Sequence, residues 1–375
     1  MEYPFQKERH IKYFLTCLKS LPSQYTSLDS TRLTVLHFIC QSLYILGAFD
    51  PENINEFGIH KDQIIDWIYT LQIKLPPKDC SHNERYWMYA GFQGSTCVCN
   101  SDILLHLGTH EEEDDSSSNT TNPTHFCQGH LAMTYSALCT LRVLGDDLSR
   151  IDNPKSIIRA MKNLQLDNGS FSSVYNQSED DMRFVYCACA ISFMLNDWDG
   201  IDVDKTISYI RSCRTWDGSI SLSPGLEGHG GSVFCAVASL YLMGKLDQVL
   251  EENHWKEELI YWCVSRQVRG MQGRPNKNED TCYSYWIGGT LRLLNSDNLL
   301  EKDTLTNFVL SCQTRMGGFS KLYDGLYPDV LHSFYSLAWL SLAVESRSTE
   351  EEEDSQTFTF ELNPFDCALG MAKIV

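Results

Sequence analysis

Residues 273–286, GRPNKNEDTCYSYW, combine more kinds of reactive side chain than any other stretch of this sequence. Arg274 and Lys277 place two cations across a turn made by Pro275 and Asn276. Guanidinium and ammonium groups donate charge-assisted hydrogen bonds to phosphate oxygens. This half of the segment therefore predicts an anion site, although two ordinary surface charges are the alternative.

The second half of the same segment offers metal ligands. Asp280 and Cys282 supply a carboxylate and a thiolate two residues apart, a pair that suits a borderline-soft divalent ion, zinc first. His332 can add a nitrogen from the next repeat and leave the fourth position open, as in catalytic zinc sites. The alternative is that Asp280 is a surface carboxylate, Cys282 is a core residue and His332 is a buried histidine with its hydrogen bonds made. The matching repeat positions described next favour the metal.

A repeat of about fifty residues must position these side chains, and only its first interval is about twice as long. Each of six segments has an aromatic or His anchor, with a bulky apolar or small residue nine positions later. The anchors are His37, Tyr135, Tyr186, Phe234, Tyr285 and Phe334. About fifty residues hold two helices and their connections, so each repeat predicts helix, Gly-rich turn, helix.

The polarity of the helices predicts the fold. Anchored helices such as 233–243 are apolar nearly all round and must be buried, whereas partners such as 155–164 and 257–266 are amphipathic. We expect an all-α protein, an α–α barrel of about six helix pairs. Its inner ring of apolar helices would surround an aromatic-lined funnel suited to a long apolar chain.

Counting back from the anchors places the reactive residues at the starts of inner helices. These residues are Thr34, Arg183, His229, Asp280, Cys282 and His332. Helix N-termini present unpaired N–H groups and a positive dipole end, so their shared end of the barrel favours anions. His229 could serve only to begin its helix, but as a third cation beside Arg274 and Lys277 it favours a diphosphate pocket.

Composition excludes several classes of protein. The net charge of −19 argues against nucleic acid, and much of it comes from acidic blocks at 111–115 and 350–354. No uncharged apolar run reaches the roughly 18 residues needed to cross a bilayer. The charged N-terminus does not resemble a signal peptide, and the 15 cysteines lie mostly in apolar runs. We therefore expect reduced core cysteines in a cytoplasmic protein.

The same patterns predict the domain organisation. We expect one barrel domain over residues 1–345, interrupted by an acidic disordered insert at 106–124, and an acidic C-terminal tail at 346–375. The sequence has no Asp-x-Asp-Asp, Asp-Asp-x-x-Asp or Walker-type motif. Neither terpene synthesis nor a nucleotide-binding loop is supported.

Several motifs carry a family resemblance over roughly residues 9–345. They are RLT at 32–34, GDDLSR at 145–150, DMRFVYCA at 181–188, GHGGS at 228–232, GRPNK at 273–277, DTCYSYW at 280–286 and PDVLH at 328–332. With these motifs the sequence resembles the β subunits of the protein prenyltransferases, and most closely the geranylgeranyltransferase type I branch.

The resemblance implies a site in three parts. One Zn²⁺ per β subunit would be held by Asp280, Cys282 and His332. A lipid diphosphate would be gripped by His229, Arg274, Lys277 and Tyr283, and the isoprenoid would be lined by Arg183, Tyr186 and Trp286. The expected donor contacts also take in the neighbouring Gly230, Gly231, Pro275, Asn276, Ser284 and Tyr285.

The resemblance also implies the reaction and the partners. Such enzymes transfer a geranylgeranyl group from geranylgeranyl diphosphate to the Cys of a C-terminal Cys-aliphatic-aliphatic-X (CaaX) motif, with X usually Leu. They act on proteins such as small GTPases and form a thioether. An α subunit completes the heterodimer. The alternatives are a farnesyl-type or Rab-type β subunit, or a helical-repeat scaffold with a structural zinc ion.

Two positions separate this branch from the farnesyl enzyme. Thr34 stands where the farnesyl enzyme has a bulky Trp, which leaves room for a fourth isoprene unit. Lys321 stands near an Asp that recruits magnesium there, so its ammonium would neutralise the leaving diphosphate without magnesium. Because loop 321–332 is one residue longer than the family pattern, Leu322 competes for that register. Lys321 and Tyr283 are the predicted catalytic residues.

Overall fold

The computed structural model describes residues 3–74, 87–98, 127–175, 178–347 and 360–374. The predicted insert and both acidic blocks lie outside the described residues. The described chain is almost wholly helical, which confirms the all-α prediction. Its helices are α1 (Lys7–Lys19), α2 (Arg32–Ile45), α3 (Ile54–Phe57), α4 (Lys61–Thr70), α5 (Leu131–Val143), α6 (Pro154–Leu164), α7 (Met182–Leu195), α8 (Val203–Ser212), α9 (Gly230–Leu242), α10 (Leu246–Leu250), α11 (Trp255–Val264), α12 (Thr281–Leu293), α13 (Lys302–Ser311) and α14 (Val330–Arg347).

The remaining regular structure is short. The 3₁₀ helices are Ser23–Thr31, Trp87–Tyr89, Glu252–His254 and Asp297–Leu299, and the strands β1 (Phe365–Asp366) and β2 (Met371–Ala372) form an antiparallel pair. The chain forms two compact units. The first comprises residues 1–23, 38–59 and 210–375, and the second comprises residues 24–37 and 60–209.

In the first unit, α9, α12 and α14 pack side by side as its buried helices. Their partners expose one face: on α11, Trp262 is buried while its neighbour Tyr261 is 76% exposed. A Cβ atom at Gly288 would lie 2.4 Å from the ring of Trp339, so glycine allows α12 and α14 to approach closely. The structure thus bears out the predicted division into apolar buried helices and amphipathic partners.

Four glutamines tie successive outer helices together. Each forms an isolated β-bridge just after an outer helix; they are Gln72, Gln165, Gln267 and Gln313. The carboxamide of Gln165 accepts from the N–H of Asp202 at 2.7 Å and donates to its carbonyl at 3.1 Å. Gln267 makes the same pair of bonds with Glu301, both at 3.0 Å. The glutamine side chain thus bonds both the N–H and the C=O of one residue at the start of the next outer helix.

The last of these glutamines joins the N-terminal segment to the final repeat of the first unit. Gln313 accepts from the N–H of Gln6 at 2.9 Å and donates to the carbonyl of Pro4 at 3.0 Å. His10 is fully buried; its Nδ1 accepts from the N–H of Gly318 at 2.9 Å, so its Nε2–H donates to Gln313. Helix α1 thus takes the place that the next outer helix has in other repeats.

In the second unit, α5 and α7 are the buried pair. The rings of Tyr135 and Tyr186, two predicted anchors, meet at 5.5 Å between centroids. Thr34, in the first turn of α2, lies 3.4 Å from the sulfur of Met133 on α5. The repeat anchors therefore meet one another within this buried pair, as their spacing predicts.

The C-terminal residues 360–374 pack on the first unit. The N–H of Asn363 donates to the carbonyl of Ile45, and that of Ala372 donates to the side chain of Gln41, both at 2.8 Å. Phe365 is buried against Tyr285. These residues complete part of the core, and the predicted domain boundary at residue 345 stays a prediction.

Two further expectations concern cysteines and membranes. The free cysteines among the described residues are all buried except Cys97, as the sequence predicts. Cys127 differs, because it is disulfide-bonded and so is not a reduced core thiol. No helix in the described part of the chain has the length and apolar character needed to span a bilayer.

Candidate metal and diphosphate site

Helix N-caps explain why reactive residues recur at one repeat position. His130, Asp181, His229 and Asp280 each stand five residues before an anchor and begin a buried helix. Each side chain accepts the backbone N–H two residues further on, at 2.9 to 3.1 Å. A side chain that caps a helix replaces a missing backbone acceptor. The repeat therefore fixes a polar side chain at the start of each of these helices.

The structure brings the three predicted metal ligands together. Asp280 caps α12, Cys282 lies in its first turn, and His332 lies in the first turn of α14. One ligand atom from each residue lies within 4.8 Å of the other two. Asp280 and Cys282 are buried, and the side chain of His332 is 15% exposed.

The spacing of these atoms fits a tetrahedral ion. Asp280 Oδ1 and His332 Nε2 are 3.3 Å apart. Zinc bonds of about 2.0 to 2.3 Å separate neighbouring ligand atoms by roughly 3.3 to 3.8 Å. Small side-chain movements would complete the set, and an oxygen, a sulfur and a nitrogen donor suit zinc.

Burial and charge shift the pKa values of all three candidate ligands. Burial lowers the pKa of His332, but the carboxylates of Asp280 and Asp329 outweigh this and raise it to about 9. Burial raises the pKa of Asp280, yet hydrogen bonds and the charge of His332 bring it below its usual value. Burial and then Asp280 hold the pKa of the Cys282 thiol well above its usual range. A positive ion among the three would favour the thiolate.

Asp329 is a residue of the candidate site that the sequence reasoning missed. Its carboxylate lies 2.6 Å from His332 Nδ1, and it also accepts the backbone N–H of His332 at 2.9 Å. This contact directs Nε2 towards Asp280. A carboxylate behind a ligating histidine orients the ring and raises its basicity. An Asp at the repeat's N-cap position, three residues before His332, was the available signal.

Lys321 lies beside the same cluster. Its ammonium is 3.5 Å from Asp280 Oδ2, and its carbonyl accepts the N–H of Thr281 at 3.0 Å. The backbone bond fixes the residue against the first turn of α12. The choice of Lys321 over Leu322 in the family register stays a prediction, with this ammonium beside the cluster in its support.

His229 and Tyr283 form a pair with a defined proton. The Nδ1 of His229 accepts the N–H of Gly231 at 3.1 Å, so a neutral ring carries its proton on Nε2. That Nε2–H donates to the Tyr283 oxygen at 2.8 Å and leaves the phenolic proton for another acceptor. Burial, with the charge of Arg274, lowers the pKa of His229. His229 thus serves as the N-cap acceptor of α9, and its role as a third cation beside a diphosphate stays a prediction.

The cationic turn lies against this pair. A Cβ atom at Gly273 would fall 2.2 Å from the Tyr283 ring, so only glycine lets the chain pass. Arg274 pairs with Glu227 at 2.8 Å, and the exposed Lys277 makes no ion pair within the described ranges. Pro275 and Asn276 form the turn, with Asn276 at φ +60°.

Not every predicted donor contact is accessible. Ser284 and Tyr285 have no exposed surface, and the Tyr285 hydroxyl donates to the carbonyl of Cys367 at 3.1 Å. Both side chains are therefore buried in the core, and their contact with the donor stays a prediction. Trp286 is only partly buried, and its ring lies 4.3 Å from that of Tyr335.

The two predicted glycine contacts lie at the start of α9. The N–H of Gly230 donates to the carbonyl of Gly273 at 2.8 Å, and a Cβ there would meet Ile287 and Tyr283. The N–H of Gly231 is occupied by His229. Gly230 thus holds the start of α9 against the turn that follows Gly273.

Three other predicted contacts belong to the second unit. Arg183 is half-exposed and forms ion pairs with Asp181 at 2.6 Å and Glu179 at 2.8 Å. Tyr186 is buried, and Thr34 is partly buried. Arg183 therefore carries two carboxylate partners that the sequence reasoning did not foresee.

A helical-repeat fold with an Asp, Cys and His cluster at the starts of neighbouring buried helices defines an α–α repeat protein with a candidate metal site. Residues 5–371 match the prenyltransferase α–α toroid domain, and the chain belongs to this family. The predicted fold class and the resemblance are confirmed.

Individual relatives agree with this assignment. The chain is 40% identical over 353 residues to the geranylgeranyl transferase type-1 β subunit of Arabidopsis thaliana, covering 91% of this chain and 86% of the relative. It is 36% identical over 337 residues to the subunit of that name from Dictyostelium discoideum, covering 89% and 90%. The structure of Candida albicans protein geranylgeranyltransferase-I complexed with GGPP has the same fold, with a TM-score of 0.76 at 23% identity and coverage of 99% and 96%.

Proposed function

We propose that this chain is the catalytic β subunit of a protein geranylgeranyltransferase type I. It would transfer a geranylgeranyl group from geranylgeranyl diphosphate to the Cys of a C-terminal CaaX motif, with X usually Leu. The names of two relatives at 36% and 40% identity support this. The observation that carries it is the juxtaposition of the Asp280, Cys282 and His332 cluster with a lysine in one unit.

Asp280, Cys282 and His332 would hold one zinc ion per β subunit. When bound, zinc would lower the pKa of the substrate thiol so that a thiolate is available at neutral pH. Asp329 orients the His332 ring through its 2.6 Å contact with Nδ1. Burial of Asp280 and Cys282 excludes water from two of the three ligands.

The chain's own groups would stabilise the leaving diphosphate. Arg274 and Lys277 supply positive charge, and Tyr283 has a phenolic proton to donate because its oxygen accepts from His229. Lys321 adds a fixed ammonium beside the cluster, where the C1–O bond of the donor would break. Charges aimed at the departing oxygens stabilise the transition state, so magnesium is not expected to be required. No general base is needed.

Donor length and partners complete the proposal. Thr34 would leave room for the fourth isoprene unit, while Arg183, Tyr186 and Trp286 would line the chain of the donor. A prenyltransferase α subunit would form the heterodimer, and proteins such as small GTPases would be the acceptors, in the cytoplasm. Neither nucleic acid nor a membrane span enters the proposal.

The test is a product assay on the heterodimer. The complex is incubated with farnesyl or geranylgeranyl diphosphate and a peptide ending in Cys-aliphatic-aliphatic-Leu, and the peptide is weighed by mass spectrometry. We expect a gain of one geranylgeranyl group, and none on a control peptide with Ser in place of Cys. Preferential farnesylation would indicate a farnesyl-type subunit. Transfer only to a Rab protein would indicate the Rab type, and bound zinc without transfer to any acceptor would indicate a scaffold.

A further inference from the structure

Arg274, which we expect to bind the donor diphosphate, already has an anionic partner. Arg274 Nη1 lies 2.8 Å from Glu227 Oε2, and their side chains are 41% and 54% exposed. Within the described residues this is the ion pair that the guanidinium makes. A carboxylate oxygen and a phosphate oxygen place the same demand on a guanidinium, since both accept two N–H groups in one plane.

Backbone bonds fix the two partners relative to each other. Glu227 lies just before Gly228, which bridges to Ser221, and Arg274 follows Gly273, whose carbonyl accepts the N–H of Gly230 at 2.8 Å. The ion pair therefore joins the hairpins of two neighbouring repeats, and backbone hydrogen bonds hold both hairpins in place. It also lies beside the His229 and Tyr283 pair, because Gly273 passes against the Tyr283 ring.

In the part of the chain that the structure describes, few other cations lie near the candidate diphosphate site, so the pairing of Arg274 with Glu227 matters. Lys277 lies in the same turn as Arg274, and Lys321 comes from a later loop and already faces Asp280. His229 uses Nδ1 to accept the N–H of Gly231, so it is not a fixed cation like these lysines. Glu227 thus cancels the charge of one of the few cations available to a diphosphate.

We propose that Glu227 is a positioning residue that holds Arg274 before the donor binds and limits how tightly the site retains diphosphate. The inference rests on the proposed function, because it takes the Arg274 turn as the diphosphate site. When a diphosphate arrives, its oxygens replace or share the carboxylate on the guanidinium. When the diphosphate product dissociates, the Glu227 carboxylate pairs again with Arg274, and this favours release of the diphosphate.

The size of the effect follows from charge and exposure. Removing one negative charge several ångströms from a bound diphosphate strengthens anion binding. Because the pair is half-exposed, solvent and salt screen the gain to about three- to ten-fold. Glu227→Gln is the suitable change, since its amide oxygen still accepts from Arg274 Nη1 while the charge is gone.

The experiment measures inorganic pyrophosphate binding by the full chain purified with its α subunit. We expect Glu227→Gln to bind pyrophosphate about three- to ten-fold more tightly than wild type, with a smaller difference at high salt. The control is Glu252→Gln, which removes a carboxylate from a similarly exposed pair with Arg211. It should bind like wild type.

A loss of folding would weaken binding, so tighter binding cannot come from general damage. Equal or weaker pyrophosphate binding by Glu227→Gln, with normal binding by wild type, would overturn only this inference. If wild type itself binds neither pyrophosphate nor the prenyl donor, the diphosphate site of the proposed function fails, and this inference fails with it.

Discussion

Replacing Asp329 with Ala should weaken zinc binding without removing any of the three ligands. In the structure Asp329 Oδ2 lies 2.6 Å from His332 Nδ1, and Oδ1 accepts the His332 backbone N–H at 2.9 Å. One side chain thus fixes both the start of α14 and the orientation of the imidazole. Without it the ring can rotate Nε2 away from Asp280, and its basicity falls.

The magnitude can be worked from these two contacts. Loss of a carboxylate behind a ligating histidine typically costs about 10- to 100-fold in metal affinity, or about 1.4 to 2.7 kcal/mol. Asp329→Asn should recover much of that loss, because the amide oxygen still accepts from Nδ1–H and can still cap the helix. The expected order of affinity is wild type, then Asn, then Ala.

The assay is competition for zinc against a chelator of known affinity, followed by the metal content of the recovered protein. Asp324→Asn serves as the control, since it removes a carboxylate from the same exposed loop and Asn tolerates the positive φ of 61° at that position. Wild-type zinc affinity in Asp329→Ala would refute the reasoning. So would an equal loss in Asp324→Asn, which would make net loop charge the cause.

Three further predictions concern other parts of the molecule. Thr34→Trp should shift donor preference towards the fifteen-carbon diphosphate, and unchanged selectivity in a competition assay would contradict the room assigned to Thr34. Lys321→Asp should lose transfer without magnesium and regain it when magnesium is added; a magnesium requirement in wild type would show that Lys321 is misassigned. Gln313→Ala should lower the free energy of unfolding by about 1 to 3 kcal/mol, because it leaves the buried His10 imidazole and the N–H of Gln6 without their acceptor; an unchanged denaturation midpoint would argue against this closure. Burial lowers the pKa of His10 to about 4, below the value near 6.5 of the unfolded chain. The stability that the neutral imidazole contributes to the folded protein is therefore complete above pH 6.5 and is lost as the pH falls towards 4. His10→Gln should flatten that part of the stability profile, and an identical profile would exclude His10 as the cause.

The repeat made much of the fold predictable. Aromatic anchors about fifty residues apart mark helices such as α9 and α12, whose all-round apolar character requires burial. Capping places Asp280 and His229 five residues before their anchors, so counting along the sequence brings the metal ligands to matching helix starts. In a repeat protein, residues at the same position of successive repeats lie at equivalent places in the fold.

Features that depend on a single contact were not predictable. The closure through Gln313 and His10 joins residues about three hundred positions apart, and nothing local in either segment indicates its partner. The pairing of Arg274 with Glu227 depends on the hairpins of two repeats lying side by side. The proton on His229 follows from which nitrogen caps the helix, which only the geometry shows.

Zinc content measured together with thioether formation tests the central claim most directly. The purified heterodimer should contain one zinc ion per β subunit and should prenylate a Cys-terminal peptide, whereas Cys282→Ala should lose both properties at once. The ligand atoms of Asp280, Cys282 and His332 lie within 4.8 Å of one another, and the two ligands that remain in the variant should hold the ion poorly. A Cys282→Ala heterodimer that keeps one zinc ion and full transfer activity would contradict the account.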